Sequence, residues 1–377
     1  MGYRIVYCIP SLHISGGMER VVTNKANYLA EVYGHEVIIV STEASNKQAF
    51  YPLSPAIKRI NLAVNFDHLN GKPFLRRVFG YLIKQWKYKK KLRSCLMDLK
   101  PDITISMLRR EVNFIAGIKD GSIKIGEIHI NRDNYRDLKG SRLMLLLSRI
   151  WMAQLIHALK KLDHFVVLSQ EDRKKWPEIK AISVINNPLS FYPEITSDCL
   201  EKEVLAVGRY VYSKGFDLLI EAWSMVAAKH PEWRLRIVGA GDRMPYEEQA
   251  KNLGIEKYCL LENEVPDIVD KYLQSGFLVM SSRFEGWGLV ITEAMTCGLP
   301  VVSFDSPPKE LINDGQDGFM VKTGDIEALA GKMLFLIENE AIRKQMGQKA
   351  RINSERFRLE NIMAKWQSLF SDLMNNR

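Results

Sequence analysis

Residues 4–41 read RIVYCIPSLHISGGMERVVTNKANYLAEVYGHEVIIVS. Arg4–Ile9 is an apolar run of strand length, and Pro10 to Gly17 is a loop that closes on two glycines. From Met18 to Tyr33, Val22, Ala26, Leu29 and Tyr33 recur at steps of four, three and four, the apolar face of a helix. Gly34 stops that helix, and His35–Ser41 is a second apolar run. Strand, glycine loop, helix and strand in this order are a βαβ unit.

The alternation continues along the chain. Asp102–Ser106, Lys124–Ile128 and His164–Leu168 read as further buried strands. Glu203–Val207 is a strand ending at Gly208-Arg209, Phe216–Lys229 has helical spacing in Leu218, Leu219, Ala222, Trp223 and Val226, and Arg234–Val238 is a strand ending at Gly239. Tyr246–Leu253 and Val265–Gln274 are predicted helices on either side of a short strand, Cys259–Leu261. Strands at Phe277–Ser281 and Val301–Phe304 and a helix at Ile326–Glu338 complete the series. Two such runs predict an α/β chain of two doubly wound, Rossmann-like domains. The linker is expected in Asn186–Glu201, which is rich in Asn, Pro and Ser. The predicted domains are 1–190 and 191–355, with a charged helix at 356–377 packing back on the first.

Composition agrees with two soluble cores. The chain has 377 residues with a 46% apolar fraction, and its longest apolar patches fall far short of the roughly 20 residues that span a bilayer. No signal-peptide pattern opens it. Five scattered cysteines form no CxxC or Cys/His cluster, which predicts neither a disulfide framework nor a zinc site and suits a reducing, cytoplasmic compartment. The net charge of +9 is uneven: residues 1–200 hold 31 Lys+Arg against 18 Asp+Glu, so the first half is strongly basic.

Chemistry concentrates in Ser281–Glu293, SSRFEGWGLVITE. An apolar strand leads in, and a helix is expected from Gly288 to Cys297. The free N–H groups and positive dipole end of such a helix suit a phosphate. Glu285 lies in the loop above the strand, and Glu293 lies about one and a half turns into the helix. The segment therefore offers an anion cradle at the helix start, Gly288, Leu289 and Val290, with Gly286 and Trp287 as donor-binding candidates in the loop before it and two carboxylates able to accept hydroxyl hydrogen bonds. Arg209 and Lys214 follow a strand end and can neutralise a diphosphate, the first as a planar fork and the second as a point charge. No Asp-x-Asp motif stands out as a metal holder. Gly16 and Gly17 allow close backbone approach ahead of a helix.

Together these segments resemble the retaining glycosyltransferases of the GT-B fold in the large bacterial group called family 4. The 285–293 segment is similar to that family's E-x7-E signature, and Gly298-Leu-Pro-Val-Val-Ser after it also fits. Gly208-Arg209 through Lys214-Gly215 resembles the family's Gly-Arg…Lys-Gly segment, and Ser15–Arg20 its N-terminal glycine loop. His129, in Glu127-Ile-His-Ile-Asn131, stands where the family has a histidine after a short strand. The match is weakest over 45–100 and 132–160, where such enzymes vary with acceptor.

The resemblance implies two Rossmann-like domains facing across a cleft and a hexosyltransferase without a cofactor or a metal for chemistry. It implies a nucleotide-sugar donor, most simply a UDP-sugar, and a saccharide or lipid-linked acceptor in surface polysaccharide or lipopolysaccharide synthesis. Glu293 would take the ribose hydroxyls and Glu285 the donor sugar hydroxyls. Arg209, Lys214 and the amides of Gly288, Leu289 and Val290 would hold the diphosphate. Gly16 and Gly17 would meet the distal phosphate or the acceptor, and His129 a sugar hydroxyl near the reacting carbon. His129, Arg209, Lys214 and Glu285 are thus the candidate catalytic set. The rivals are a nucleotide-sugar epimerase of the same fold and a non-catalytic sugar- or lipid-binding scaffold.

Residues 72–93, KPFLRRVFGYLIKQWKYKKKLR, hold nine basic residues and no acidic one, interleaved with Phe74, Leu75, Val78, Phe79, Tyr81, Leu82, Ile83, Trp86 and Tyr88. A helix of this kind can lie on an anionic membrane surface, here the inner face of the cytoplasmic membrane. It can also pack its apolar side on the domain and leave its cations solvated. Lys139–Lys161 has a similar character. No helix-turn-helix or RNA-binding signature accompanies the basic stretch, so no nucleic-acid partner is expected.

Overall fold

The computed structural model describes residues 2–43, 48–135, 142–265 and 267–376. They form two compact units, Met1–Pro188 with Leu359–Arg377, and Leu189–Arg358.

The first unit is built on strands β1 (Arg4–Ile9), β2 (Glu36–Ser41), β3 (Lys58–Asn61), β4 (Ile103–Ser106), β5 (Ile123–Glu127), β6 (His164–Val167) and β7 (Ile182–Val184). Helices α1 (Gly17–Glu31), α2 (Phe74–Leu99), α3 (Arg142–Leu159) and α4 (Gln170–Lys174) connect them. The sheet order is β3-β2-β1-β4-β5-β6-β7, and every pairing is parallel. A parallel sheet covered by helices on both faces needs strands that are apolar throughout. β1 meets this with Ile5 to Ile9 all buried. Alternate residues feed two cores: Val6 and Cys8 pack with α2, and Ile5, Tyr7 and Ile9 pack with α1.

The second unit repeats the plan with β8 (Glu203–Val207), β9 (Arg234–Val238), β10 (Cys259–Glu262), β11 (Phe277–Met280), β12 (Val301–Phe304) and β13 (Gly318–Val321). Its helices are α5 (Phe216–Ala227), α6 (Met244–Asn252), α7 (Val269–Leu273), α8 (Leu289–Thr296), α9 (Ile326–Glu338) and α10 (Glu340–Ser354). The order β10-β9-β8-β11-β12-β13, all parallel, reverses direction between β8 and β11. Ligands of such sheets bind outside the carboxyl ends of the strands at this kind of reversal. The chain then returns to the first unit as α11 (Leu359–Asn375), whose Ile362, Met363, Trp366 and Phe370 join the core of Ile5, Tyr7, Val22 and Leu29. Burying side chains of this size stabilises the unit by about 1.5–3 kcal/mol each.

Three strands lie outside the sequence expectation. β3 is Lys-Arg-Ile-Asn on the sheet edge with both cations exposed, so it carries no apolar run. β7 has only three residues. β13 begins at Gly318, where a Cβ would sit 2.4 Å from the Val301 carbonyl oxygen, so close pairing rather than side-chain pattern makes the strand. The helix expected over Val265–Gln274 contracts to Val269–Leu273, with the Asp267 carboxylate accepting from Val269 N–H at 3.0 Å.

Candidate functional site

In the second unit, two loops at the carboxyl ends of the strands are locked together. Gly215 has φ +64°, and a Cβ there would lie 2.1 Å from the Ser281 carbonyl oxygen, so only glycine lets the loop after β8 touch the one after β11. The Ser281 hydroxyl donates to the Lys214 carbonyl at 3.0 Å, and Arg283 N–H donates to the Ser213 carbonyl at 2.8 Å. Arg283 also forks onto Asp217 at 2.7 and 2.6 Å and stacks its guanidinium 4.1 Å from the centre of the Tyr212 ring. Hydrogen bonding and charge from that guanidinium hold the Asp217 carboxyl below its usual range.

This clasp brings two of the predicted site residues into contact. The Lys214 ammonium donates to Glu285 Oε1, and the Ser282 hydroxyl donates to the same oxygen at 2.9 Å. The Lys214 stem lies along Gly208, at the end of β8, and the neighbouring Arg209 is exposed. Three residues beyond Glu285, Gly288 (φ +90°) begins α8 without a side-chain cap. The first backbone bond of α8 runs from Ile291 N–H to the Gly288 carbonyl at 3.0 Å, so the N–H groups of Leu289 and Val290 lie ahead of the helical ladder. The arrangement can accept an anion at Arg209 and the helix start and hydroxyl groups at Glu285.

Glu293 and Trp287 are placed more deeply than their sequence positions suggest. Glu293 is 3% exposed, and its oxygens accept the Ser190 hydroxyl at 2.6 Å and the Tyr272 hydroxyl at 2.9 Å. The Trp287 ring is also 3% exposed and meets Phe357 edge-to-face at 5.4 Å. Its indole N–H has no partner among the described residues. Gly286 lies in the loop between Glu285 and Trp287, half-buried.

Gly16, Gly17 and His129 belong to the first unit. Gly16 caps α1, and a Cβ on it would sit 1.9 Å from a Glu19 carboxylate oxygen, so the glycine makes room for an acid of the first helical turn. Gly17 is exposed and opens α1. His129 follows β5, and its Nε2 lies 3.1 Å from Glu127 Oε1. The other Glu127 oxygen pairs with the buried Lys25 ammonium at 2.6 Å, and that ammonium sits 3.7 Å from the centre of the Trp366 ring. Burial alone would raise the Glu127 carboxyl. The Lys25 charge and the hydrogen bonds from His129 and Lys25 more than offset this and bring it to about 2. Burial pushes the Lys25 ammonium down, against the pull of Glu127.

Sequence reasoning missed Lys25 and Glu127 as parts of this group. One signal was present: Lys25 follows Val22 by three positions, on the apolar face of α1, where an unpaired cation is untenable. Ser190 and Tyr272 carried no such signal. Among the described residues no group of three or more His, Cys, Asp or Glu side chains could hold a metal ion.

Residues 194–353 match the family described as Glycosyl transferases group 1. An uncharacterized glycosyltransferase of Haemophilus influenzae is 29% identical over 377 residues, spanning 97% of this chain and 99% of the relative. The chain is a glycosyltransferase of the GT-B fold. An alpha-1,4-N-acetyl-D-galactosaminyltransferase of Campylobacter jejuni is 28% identical to it, over 99% of both chains. Among solved structures, a variant of S. aureus TarM in complex with fondaparinux, α-GlcNAc-glycerol and UDP overlays with a TM-score of 0.78 at 18% identity, over 98% of this chain and 99% of that one.

The glycosyltransferase also exposes an unusual surface on α2. Only Tyr88, Leu92 and Leu96 of this 26-residue helix are buried. Leu75 is 69% exposed and Phe79 and Trp86 are each 65% exposed, with Leu82 and Ile83 beside them. At helical spacing, Leu75, Phe79, Leu82 and Trp86 form one stripe that continues into Lys89, Lys90 and Arg93. Not all the cations are solvated. Lys84 Nζ donates to the Val64 and Asn65 carbonyls at 2.6 and 2.7 Å, and Lys91 Nζ to the Leu62 carbonyl at 2.5 Å. In the second basic stretch, residues 139–141 lie outside the described residues, Ile150 and Trp151 are exposed, and Leu155 is buried. Among the described residues no helix is long and apolar enough to cross a membrane.

Proposed function

We propose that this glycosyltransferase moves a hexosyl group from a UDP-sugar to a saccharide or lipid-linked acceptor in cell-surface polysaccharide biosynthesis, with retention at the anomeric carbon. The observation that carries the reading is the Lys214–Glu285 pair, with the Lys214 stem along Gly208, next in sequence to an exposed Arg209, and Glu285 three residues ahead of the Gly288 cap of α8. A nucleotide diphosphate brings two or more negative charges and a sugar brings hydroxyls. This group of residues has a partner for each.

Arg209, Lys214 and the amides of Gly288, Leu289 and Val290 stabilise the charge that builds on the diphosphate as the glycosidic bond breaks. Lys214 turning to phosphate frees Glu285 to accept donor sugar hydroxyls. Glu293, which already accepts two hydroxyls, exchanges them for the ribose diol. His129 accepts from a sugar hydroxyl near the reacting carbon. The leaving phosphate helps take the acceptor proton on the same face, so no covalent enzyme intermediate forms and no metal is required for the chemistry.

The names of relatives support the donor and acceptor classes. The TarM variant was crystallised with UDP, and the acceptor in the Campylobacter relative's name is a PP-undecaprenol saccharide. Retention rests on the resemblance to family 4. The exposed apolar and cationic stripe of α2 supports peripheral contact with the anionic inner face of the cytoplasmic membrane.

The test is a panel of UDP-glucose, UDP-galactose, UDP-N-acetylglucosamine and UDP-N-acetylgalactosamine, screened by thermal shift and then for UDP release with undecaprenyl-diphosphate saccharides. Acceptor-dependent UDP release in a chelating buffer, with an α-linked product, is expected. An isomerised UDP-sugar formed without acceptor would point to an epimerase. Tight binding without turnover would point to a scaffold.

A further inference from the structure

The group around Glu127 is built from four elements of the first unit. Tyr7 comes from β1, Lys25 from α1, Glu127 and His129 from the end of β5, and Trp366 from α11. Lys25 and Glu127 are both buried, and each Glu127 oxygen has one partner, Lys25 on Oε2 and His129 on Oε1. A carboxylate paired with an ammonium is ionised and can only accept hydrogen bonds. The proton of a neutral His129 therefore lies on Nε2, and Nδ1 carries the lone pair. Among the described residues Nδ1 has no hydrogen-bond partner. Tyr7 Oη is buried without a partner, and burial followed by the Glu127 charge raises its pKa well above the usual value, so it stays a neutral phenol.

We infer that Glu127 is a positioning residue: clamped by Lys25, it fixes the ring and tautomer of His129 so that Nδ1 is presented as a hydrogen-bond acceptor to a sugar hydroxyl. This rests on the reading of His129 given above. The clamp needs Lys25 rather than a neutral residue, because a lone buried carboxylate would take up a proton and could then donate to Nε2, reversing the tautomer. Trp366 closes the far side of Lys25, with its ring face toward the ammonium. The C-terminal helix thus packs against the cation of the clamp.

The experiment uses the full chain with ¹⁵N-labelled histidine, His129 being assigned by its loss in H129A. Long-range ¹H–¹⁵N correlation of the wild type should show the Nε2–H tautomer over the pH range where the ring is neutral. E127Q should lose that preference. With whichever UDP-sugar of the panel is turned over, E127Q should lower kcat on the order of 10- to 100-fold, part of what a well-placed acid or base contributes. The donor KM should stay within about twofold, and H129A/E127Q should be no slower than H129A. Should E127Q fail to fold, K25M/E127Q removes both buried charges together and is read in the same way. A wild-type Nδ1–H tautomer, or a tautomer unchanged in E127Q, overturns the inference whatever the enzyme's substrates. A correct tautomer with full transfer by H129A instead sinks the role of His129, and with it the purpose assigned to Glu127.

Discussion

Tyr272 Oη donates to Glu293 Oε2 over 2.9 Å, and both side chains are buried. A glutamate in the second turn of a short helix is thereby joined to α7, and its carboxylate is oriented toward hydroxyl donors. Tyr272→Phe removes one donor from a buried carboxylate and should cost about 1–3 kcal/mol of stability, read from urea unfolding. If Glu293 takes the ribose diol, Y272F keeps most of its transfer activity while Glu293→Ala loses it. Equal losses in both variants would make the carboxylate a structural group.

Arg209 and Lys214 are assigned to the diphosphate, and each charged contact is worth roughly 1.5–3 kcal/mol, or about 10- to 150-fold in rate. Arg209→Ala should act on kcat with little change in stability, since Arg209 is exposed. Lys214→Ala should act on kcat and also loosen Glu285, its ion-pair partner. Steady-state kinetics in which either variant stays within about twofold of wild type would refute the donor-site assignment.

The Glu127 pair makes a pH prediction with a definite sign. The folded-state pKa is depressed to about 2, below the ordinary glutamate value of 4.5. The unfolded chain therefore binds more protons between these values, and stability falls as pH drops through that window. The contribution is fully present above about 4.5, is lost by about 2, and amounts to on the order of 3 kcal/mol. Acid unfolding followed by circular dichroism should show this slope, flattened in the K25M/E127Q variant.

Glu111 predicts the opposite sign. It is buried between the Ser106 hydroxyl at 2.7 Å and the Tyr88 hydroxyl at 3.3 Å, and desolvation raises its pKa in spite of those bonds. A raised carboxyl stabilises the fold at low pH, and that contribution is lost as pH rises through its folded pKa. Glu111→Gln should therefore be neutral or stabilising at pH 7, whereas Glu111→Ala should destabilise by opening a cavity. Thermal unfolding of the two variants at pH 7 checks the order.

On α2, Phe79→Ser with Trp86→Ser should weaken flotation with anionic vesicles by at least tenfold and leave unfolding unchanged, since both side chains are exposed. Reversing Lys89, Lys90 and Arg93 should have the same effect at low salt and less at high salt. Lys84→Glu should behave differently and lower stability, because the Lys84 ammonium caps the Val64 and Asn65 carbonyls.

The βαβ frame was legible in residues 4–41 because fully covered parallel strands are apolar at every position and the helix between them repeats at 3.6 residues. Both patterns are local. The strand–loop–helix turn that places Gly288 at the start of α8 was legible for the same reason: its three parts are consecutive. β3, β7 and β13 were not legible, since an edge position, three residues and a glycine contact leave no periodicity to read. The partnerships that define the site were not legible either. Lys214 meets Glu285 across 71 positions, Lys25 meets Glu127 across 102 and Ser190 meets Glu293 across 103. The sequence by itself determined which chemical groups stand at strand ends, because that depends on neighbours along the chain. Only the tertiary structure decided which of them are ionised, buried or already paired, because desolvation and Coulomb energy depend on neighbours in space.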